Sequence, residues 1–306
     1  MLRKILFITL LAALTLAACA PALPSNEAAG ITIIDGLGRE VKLASAAERV
    51  VSLAPSNTEI LFALGAGDKV VGRDEFSDYP EEAKAIASVG GSMGEYSLEA
   101  IVALKPDLVL AAEINAPELV KSLEDLGITV YYLSNPKTLE GLYTNIEIVA
   151  TLTGRDATKL TDSLKARVAA VDEKIMTLSS RPVVFYEIDA TDPSKPYTAG
   201  KDTFITLLIN RAGGSNFVEL AGITDPYPQV GLEQLLVTQP NLIILGDAMW
   251  GTTPEIVAAR PGWDALYAVQ EGYVFPFDDN LLSRPGPRMI DGLEALAKLL
   301  HPGVFE

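Results

Sequence analysis

The chain has 306 residues, 49% of them apolar, and a formal net charge of −16. That balance argues against binding nucleic acid or anionic headgroups by charge. A single cysteine excludes an internal disulfide and a cysteine-built metal site, and a single histidine supplies no imidazole cluster for a metal. In chain order, Arg3 and Lys4 precede an apolar run from Ile5 to Leu16, 12 residues long, too short to span a bilayer and suited to a signal peptide. Residues 1–18 read as that leader. Residues 19–30, rich in Ala, Pro, Ser and Asn without an apolar period, read as a flexible tether.

The remainder is long enough for about two domains. Residues 31–154 predict a first lobe. It opens with a hairpin around Gly36-Leu37-Gly38, followed by strand 49–53, helix 57–64, strand 69–72, helix 81–86, a helix and strand over 97–111, helix 117–126, strand 129–133 and helix 139–152. Gly154 breaks the last of these. From Leu160 the apolar positions Leu164, Val168, Val171, Ile175 and Leu178 keep helical spacing, which predicts a connecting helix within residues 155–180. Spanning about 156–179, it would be ~36 Å long. Residues 181–306 then repeat the alternation, with strands at 183–188, 241–245 and 273–277 and helices at 203–211, 231–238, 254–259 and 288–300. Such alternation predicts an α/β fold: two Rossmann-like lobes with mostly parallel sheets, joined by a long helical spine, with a ligand cleft between them.

One segment occurs twice. SLEAIVALKPDLVLA, Ser97 to Ala111, returns as GLEQLLVTQPNLIIL, Gly231 to Leu245, at a constant offset of 134 residues. Each copy reads as a small N-cap residue, an apolar helix, a turn and a β-branched strand. Glu99 and Glu233 occupy the same place in the two copies.

In open α/β sheets, ligands bind outside the carboxyl ends of the strands. That rule selects 54–58, 74–77, 113–115 and 135 in the first lobe, and 189–197, 247–250 and 278–284 in the second. Phe76, Tyr79, Tyr96, Tyr197, Tyr227 and Trp250 all fall in Gly-, Pro- or Asp-rich connections, and such a wall suits a wide, flat, partly apolar ligand. Arg284 and Arg288 bracket a loop stiffened by Pro285 and Pro287, and either arginine could neutralise an anionic group.

RVVSLAPSNTEILFALG from Arg49, FSDYP at 76–80, the duplicated segment, PYPQVGLEQLL at 226–236 and SRPGPR at 283–288 resemble the helical-spine class of substrate-binding proteins that serve ABC importers for cobalamin, haem and ferric siderophores. The resemblance covers Arg49 to about Leu300 and leans toward the cobalamin-binding branch. It implies a protein that catalyses nothing and holds no intrinsic cofactor or metal. It further implies capture of a corrinoid, or alternatively haem or a ferric siderophore, by a monomer that works with an ABC permease dimer and its ATPase subunits. Leu16-Ala17-Ala18-Cys19 likewise resembles a bacterial lipobox, which implies lipidation of Cys19 and an extracytoplasmic position in the cell envelope, anchored to the membrane. Carried over residue by residue, the resemblance implies cargo contacts from Phe76, Tyr197, Tyr227, Asn280, Leu281, Leu282, Ser283 and Arg284, and permease docking through Glu99 and Glu233; Ser77, Tyr96 and Trp250 join the candidate cargo residues through their place in the strand-end segments and turn-rich connections. Here the chain departs from the branch, since Leu281 or Leu282 stands where an aromatic is expected.

Two other readings compete. Gly90-Gly91-Ser92-Met93-Gly94 matches a nucleophile elbow, with Ser92 as nucleophile of a lipoprotein hydrolase and His301 following in chain order. The residues before it make a poor strand, and no second histidine exists. A metal-ion binding protein would need donors at ligand spacing, and none is visible.

Overall fold

Alternation of side chains along the strands decides how each sheet is covered. The computed structural model describes residues 30–91 and 94–305; Cys19 and its leader, with Ser92 and Met93, lie outside the described residues. Strands β1 (Ile31–Ile34) and β2 (Glu40–Leu43) pair antiparallel as the predicted hairpin, Ile31 opposite Leu43. Strands β3 (Val50–Ser52), β4 (Val70–Arg73), β5 (Leu108–Ala112) and β6 (Val130–Leu133) form a parallel sheet in the order β4-β3-β5-β6. Val50, Leu108, Leu110 and Tyr131 pack on one face, while Val51, Val109, Ala111 and Val130 pack on the other. Both faces are therefore buried, which explains the nearly continuous apolar runs.

The second lobe is built on β7 (Val183–Asp189), β8 (Tyr197–Thr198), β9 (Ser215–Asn216), β10 (Leu242–Leu245) and β11 (Val274–Pro276). Their order is β11-β10-β7-β8, with β9 alongside β7; β8 alone runs antiparallel. Here Val184, Tyr186 and Ile244 face inward, and Phe185, Ile243, Leu245 and Val274 face outward.

Two helices join the lobes. Leu139–Thr153 ends at Gly154, whose φ of 66° makes the left-handed turn that glycine tolerates. Thr158–Ile175 follows, its start tied by Asp156, whose Oδ1 accepts from the backbone and hydroxyl of Thr158. The predicted connecting helix is thus shorter than expected: 18 residues, or about 27 Å. Its end is set by local chemistry that periodicity does not register. Thr177 and Leu178 bond three residues back, to Lys174 and Ile175, tightening the last turn. Pro182 then disfavours helix at Arg181. Leu164, Val168, Val171 and Ile175 still point inward as the spacing required. Arg167 forks onto Asp291 (2.5 Å) and Glu294 (2.6 Å) of the Met289–Leu300 helix, fastening the spine to the second lobe. One buried apolar cluster runs from the inner face of the first sheet, through the spine, to the inner face of the second.

Glu81–Ala85 is a 3-10 turn rather than the expected α-helix. The duplication survives in the backbone: Lys105 and Gln239, 134 residues apart, both adopt φ of 49° just after their helices. Among the described residues no helix is long and apolar enough to cross a membrane.

Candidate functional site

Parallel crossovers gather the loops that follow the strands at one edge of each sheet, and the crevice opens where strand order reverses. In the first lobe that reversal lies between β3 and β5. The two carboxyl edges meet. Arg284 Nη1 of the second lobe lies 2.6 Å from Asp78 Oδ1 of the first. Arg288 grips Glu59 with both arms, Nε to Oε2 at 3.0 Å and Nη2 to Oε1 at 2.5 Å, and its guanidinium sits 3.9 Å from the Tyr79 ring centroid. Farther along, burial raises the phenol pKa of Tyr227 in the second lobe, and the charge of Glu113 in the first lobe adds to it.

Glu59 is the most constrained of these groups. It lies in the Pro55–Ala63 helix and is only 2% exposed. Burial pushes its carboxyl up, and the two arginines offset this only in part. Asp78 goes the other way: burial alone would raise it, but the Arg284 contact outweighs this and holds its carboxyl below the usual range.

Side chains fill the crevice of the first lobe. The Tyr96 hydroxyl reaches the Leu53 carbonyl (2.9 Å) and Asp74 Oδ2 (3.0 Å), and accepts from Asn115 Nδ2 (2.9 Å). Burial, followed by the Asp74 charge, raises its phenol pKa. Asp74 Oδ1 accepts the Phe76 amide at 2.8 Å, a turn that fixes where Phe76 projects. Gly91, at φ 107°, makes room: a Cβ there would stand 2.0 Å from Asp74 Oδ2. In the second lobe the buried Glu187 receives both terminal nitrogens of Arg260, at 2.6 and 2.7 Å, and that guanidinium stacks 4.6 Å over Trp263. The Tyr186 hydroxyl donates to Asp279 Oδ1 at 2.5 Å.

The predicted cargo residues separate under this geometry. Phe76 (48% exposed) and Trp250 (76%) present open aromatic surface just beyond β4 and β10, as do Tyr197, which opens β8 beside the end of β7, and Tyr227, in the connection before the Leu232–Thr238 helix. Asn280 and Leu281 are partly exposed and Ser283 is exposed. Tyr96 is half-buried with its hydroxyl committed inside the lobe. Two expectations are corrected. Ser77 is fully buried, its Oγ 2.9 Å from Thr58 Oγ1, and Leu282 is fully buried in the central core. Neither presents surface to a cargo. Arg284 is likewise placed by an ion pair to Asp78 rather than left free. Sequence reasoning missed Glu59, Asp78 and Glu113 as partners; the 74–77 window stopped one residue short of Asp78.

Glu99 and Glu233 stand exposed in the first turns of Leu98–Ala103 and Leu232–Thr238, with no ion-pair partner among the described residues. Ser97 Oγ caps the first helix through Ala100 N, whereas Gln234 Oε1 accepts from Gly231 N in the second. A cavity of about 550 Å³ lies at the opposite edge of the second sheet, lined by Arg181, Asn241, Tyr267, Tyr273 and His301 among others. Arg181 already donates to the Asn210 carbonyl and His301 contacts the Gly213 carbonyl, so these polar groups are spent on the fold. No group of three or more metal-ligating side chains that could hold an ion occurs among the described residues.

The family model described as periplasmic binding protein matches residues 50–281. An uncharacterized ABC transporter substrate-binding lipoprotein of Bacillus subtilis is 34% identical, with 97% of this chain and 96% of that protein covered. A vitamin B12-binding protein of Vibrio cholerae is 33% identical over 83% of this chain and 89% of its own. Among solved structures, a periplasmic heme-binding protein from Roseiflexus superposes with a TM-score of 0.75 at 28% identity, covering 85% of this chain and 100% of that one.

Proposed function

Because the chain belongs to the periplasmic binding protein family, we propose that it is the lipid-anchored solute-binding protein of an ABC importer and that its cargo is a corrinoid. The family is one of binding proteins, so the hydrolase reading of Ser92 is set aside. The observation that carries the cargo is the open aromatic surface of Phe76, Tyr197, Tyr227 and Trp250, held on the carboxyl edges of two lobes that meet across a seam. A broad, partly apolar macrocycle buries area on such a wall that a small polar solute does not. The vitamin B12-binding relative supports this choice, and the heme-binding neighbour keeps haem as the second reading. Cys19, following Leu16-Ala17-Ala18, supports a lipid anchor on the outer side of the membrane. Glu99 and Glu233, exposed and matched between lobes, support docking on a two-fold permease.

Titration of the purified mature protein with cyanocobalamin, haemin and a ferric siderophore tests the cargo, read by Trp250 fluorescence and ligand absorbance. Saturable binding of the corrinoid at micromolar or lower concentration is the expected result. Haemin or siderophore binding without any corrinoid response would overturn the corrinoid assignment.

A further inference from the structure

The charges around the aromatic wall narrow the cargo by chemical class. Resting on the reading of the cleft as the cargo site, we infer that it selects neutral or cationic ligands and rejects polyanionic ones, because its arginines are already committed to carboxylates across the seam. The strand-end segments selected from the sequence carry eight carboxylates against two cations, Lys195 and Arg284. Arg284 is not free. Its side chain is 12% exposed, with Asp78 at 2.6 Å and Glu59 at 3.6 Å. Arg288 is held by Glu59, so two guanidinium charges meet two carboxylates. Lys195 is exposed, yet its charge helps to lower the Asp192 carboxyl, which places an acid beside it.

Glu113, one of these eight, places its negative charge at the seam, near Tyr227. An anionic ligand entering here must either face these carboxylates or take Arg284 from Asp78, leaving that acid unpaired. Low-dielectric walls strengthen the repulsion, since they focus the field in the cleft. A corrinoid with amide side chains and a ferric trihydroxamate both satisfy the condition. Haem with its propionates and a ferric catecholate violate it.

The test titrates wild-type protein, Asp78→Asn and Glu113→Gln with cyanocobalamin, ferrioxamine B and haemin at low and high salt, after thermal melts establish that each variant folds. Wild type should bind cyanocobalamin or ferrioxamine more tightly than haemin, and added salt should narrow the gap. Asp78→Asn frees Arg284 and should improve the ratio of haemin to cyanocobalamin affinity about fivefold, the value of one partly screened ion pair. Glu113→Gln should move the ratio in the same direction. Haemin binding in wild type as tight as the neutral ligands, or a ratio unmoved in both variants, overturns the inference. Silence toward all three ligands overturns the cargo reading itself, a result distinct from binding with the wrong charge preference.

Discussion

Replacing Arg288 by Met tests the seam where it is most sensitive. The substitution keeps most of the side-chain volume but removes both bonds to Glu59 and the stacking on Tyr79. Glu59 is then left 2% exposed with only Arg284 nearby, at 3.6 Å, too far for a hydrogen bond. Stranding one member of a buried ion pair costs about 3–5 kcal/mol, which for a chain of this size lowers the melting temperature by about 5–9 °C. The remaining contact with Arg284 places the expected loss at the lower end.

The sign of the pH dependence follows. Burial already raises the Glu59 carboxyl above its ordinary 4.5, and loss of Arg288 raises it further. A carboxyl raised in the folded state weakens the fold only where it must ionise. The penalty is therefore full above the folded-state pKa and vanishes as pH falls below the ordinary value. Thermal melts of wild type and variant should differ most near pH 8 and least near pH 4. Glu59→Gln added to Arg288→Met should recover most of the loss. A deficit below about 1 kcal/mol, or one that does not change with pH, would refute the claim that Glu59 depends on Arg288.

Reversal of Glu99 and Glu233 to Lys should abolish stimulation of the permease-coupled ATPase while leaving cargo affinity unchanged; a parallel loss of affinity would place both residues in the cleft instead. Gly154→Ala forces a side chain into a left-handed turn at φ 66°, with its Cβ 2.9 Å from that of Ala46. It should cost at least about 1–2 kcal/mol by urea denaturation, and a neutral result would show that the turn between the two spine helices relaxes.

Local patterns were legible where one residue type dictates one geometry. Gly154 was legible as a breaker because little else tolerates its φ, and β7 because Val-Val-Phe-Tyr buries both faces. The duplication was legible too, down to the exposed Glu99 and Glu233. The seam was not. Glu59 and Arg288 lie 229 positions apart, and a glutamate in a short apolar helix carries no mark that says it will be buried against a cation from another lobe. Leu282 escaped for a related reason: beside a cleft loop, a leucine aimed inward and one aimed outward read alike. The spine was overextended because apolar spacing continues through Leu178, although the backbone has already tightened at Thr177.

The apolar cluster that passes from one sheet through the spine to the other has a thermodynamic meaning. A chain with two lobes need not melt in two steps, and lobes that share one interior cannot lose it separately. A ligand bound across the seam would therefore draw on the cooperativity of the whole molecule, so its binding free energy would appear in the global melting temperature rather than in a local one. A single heat-absorption peak that moves upward with ligand concentration is the calorimetric form of that shared interior.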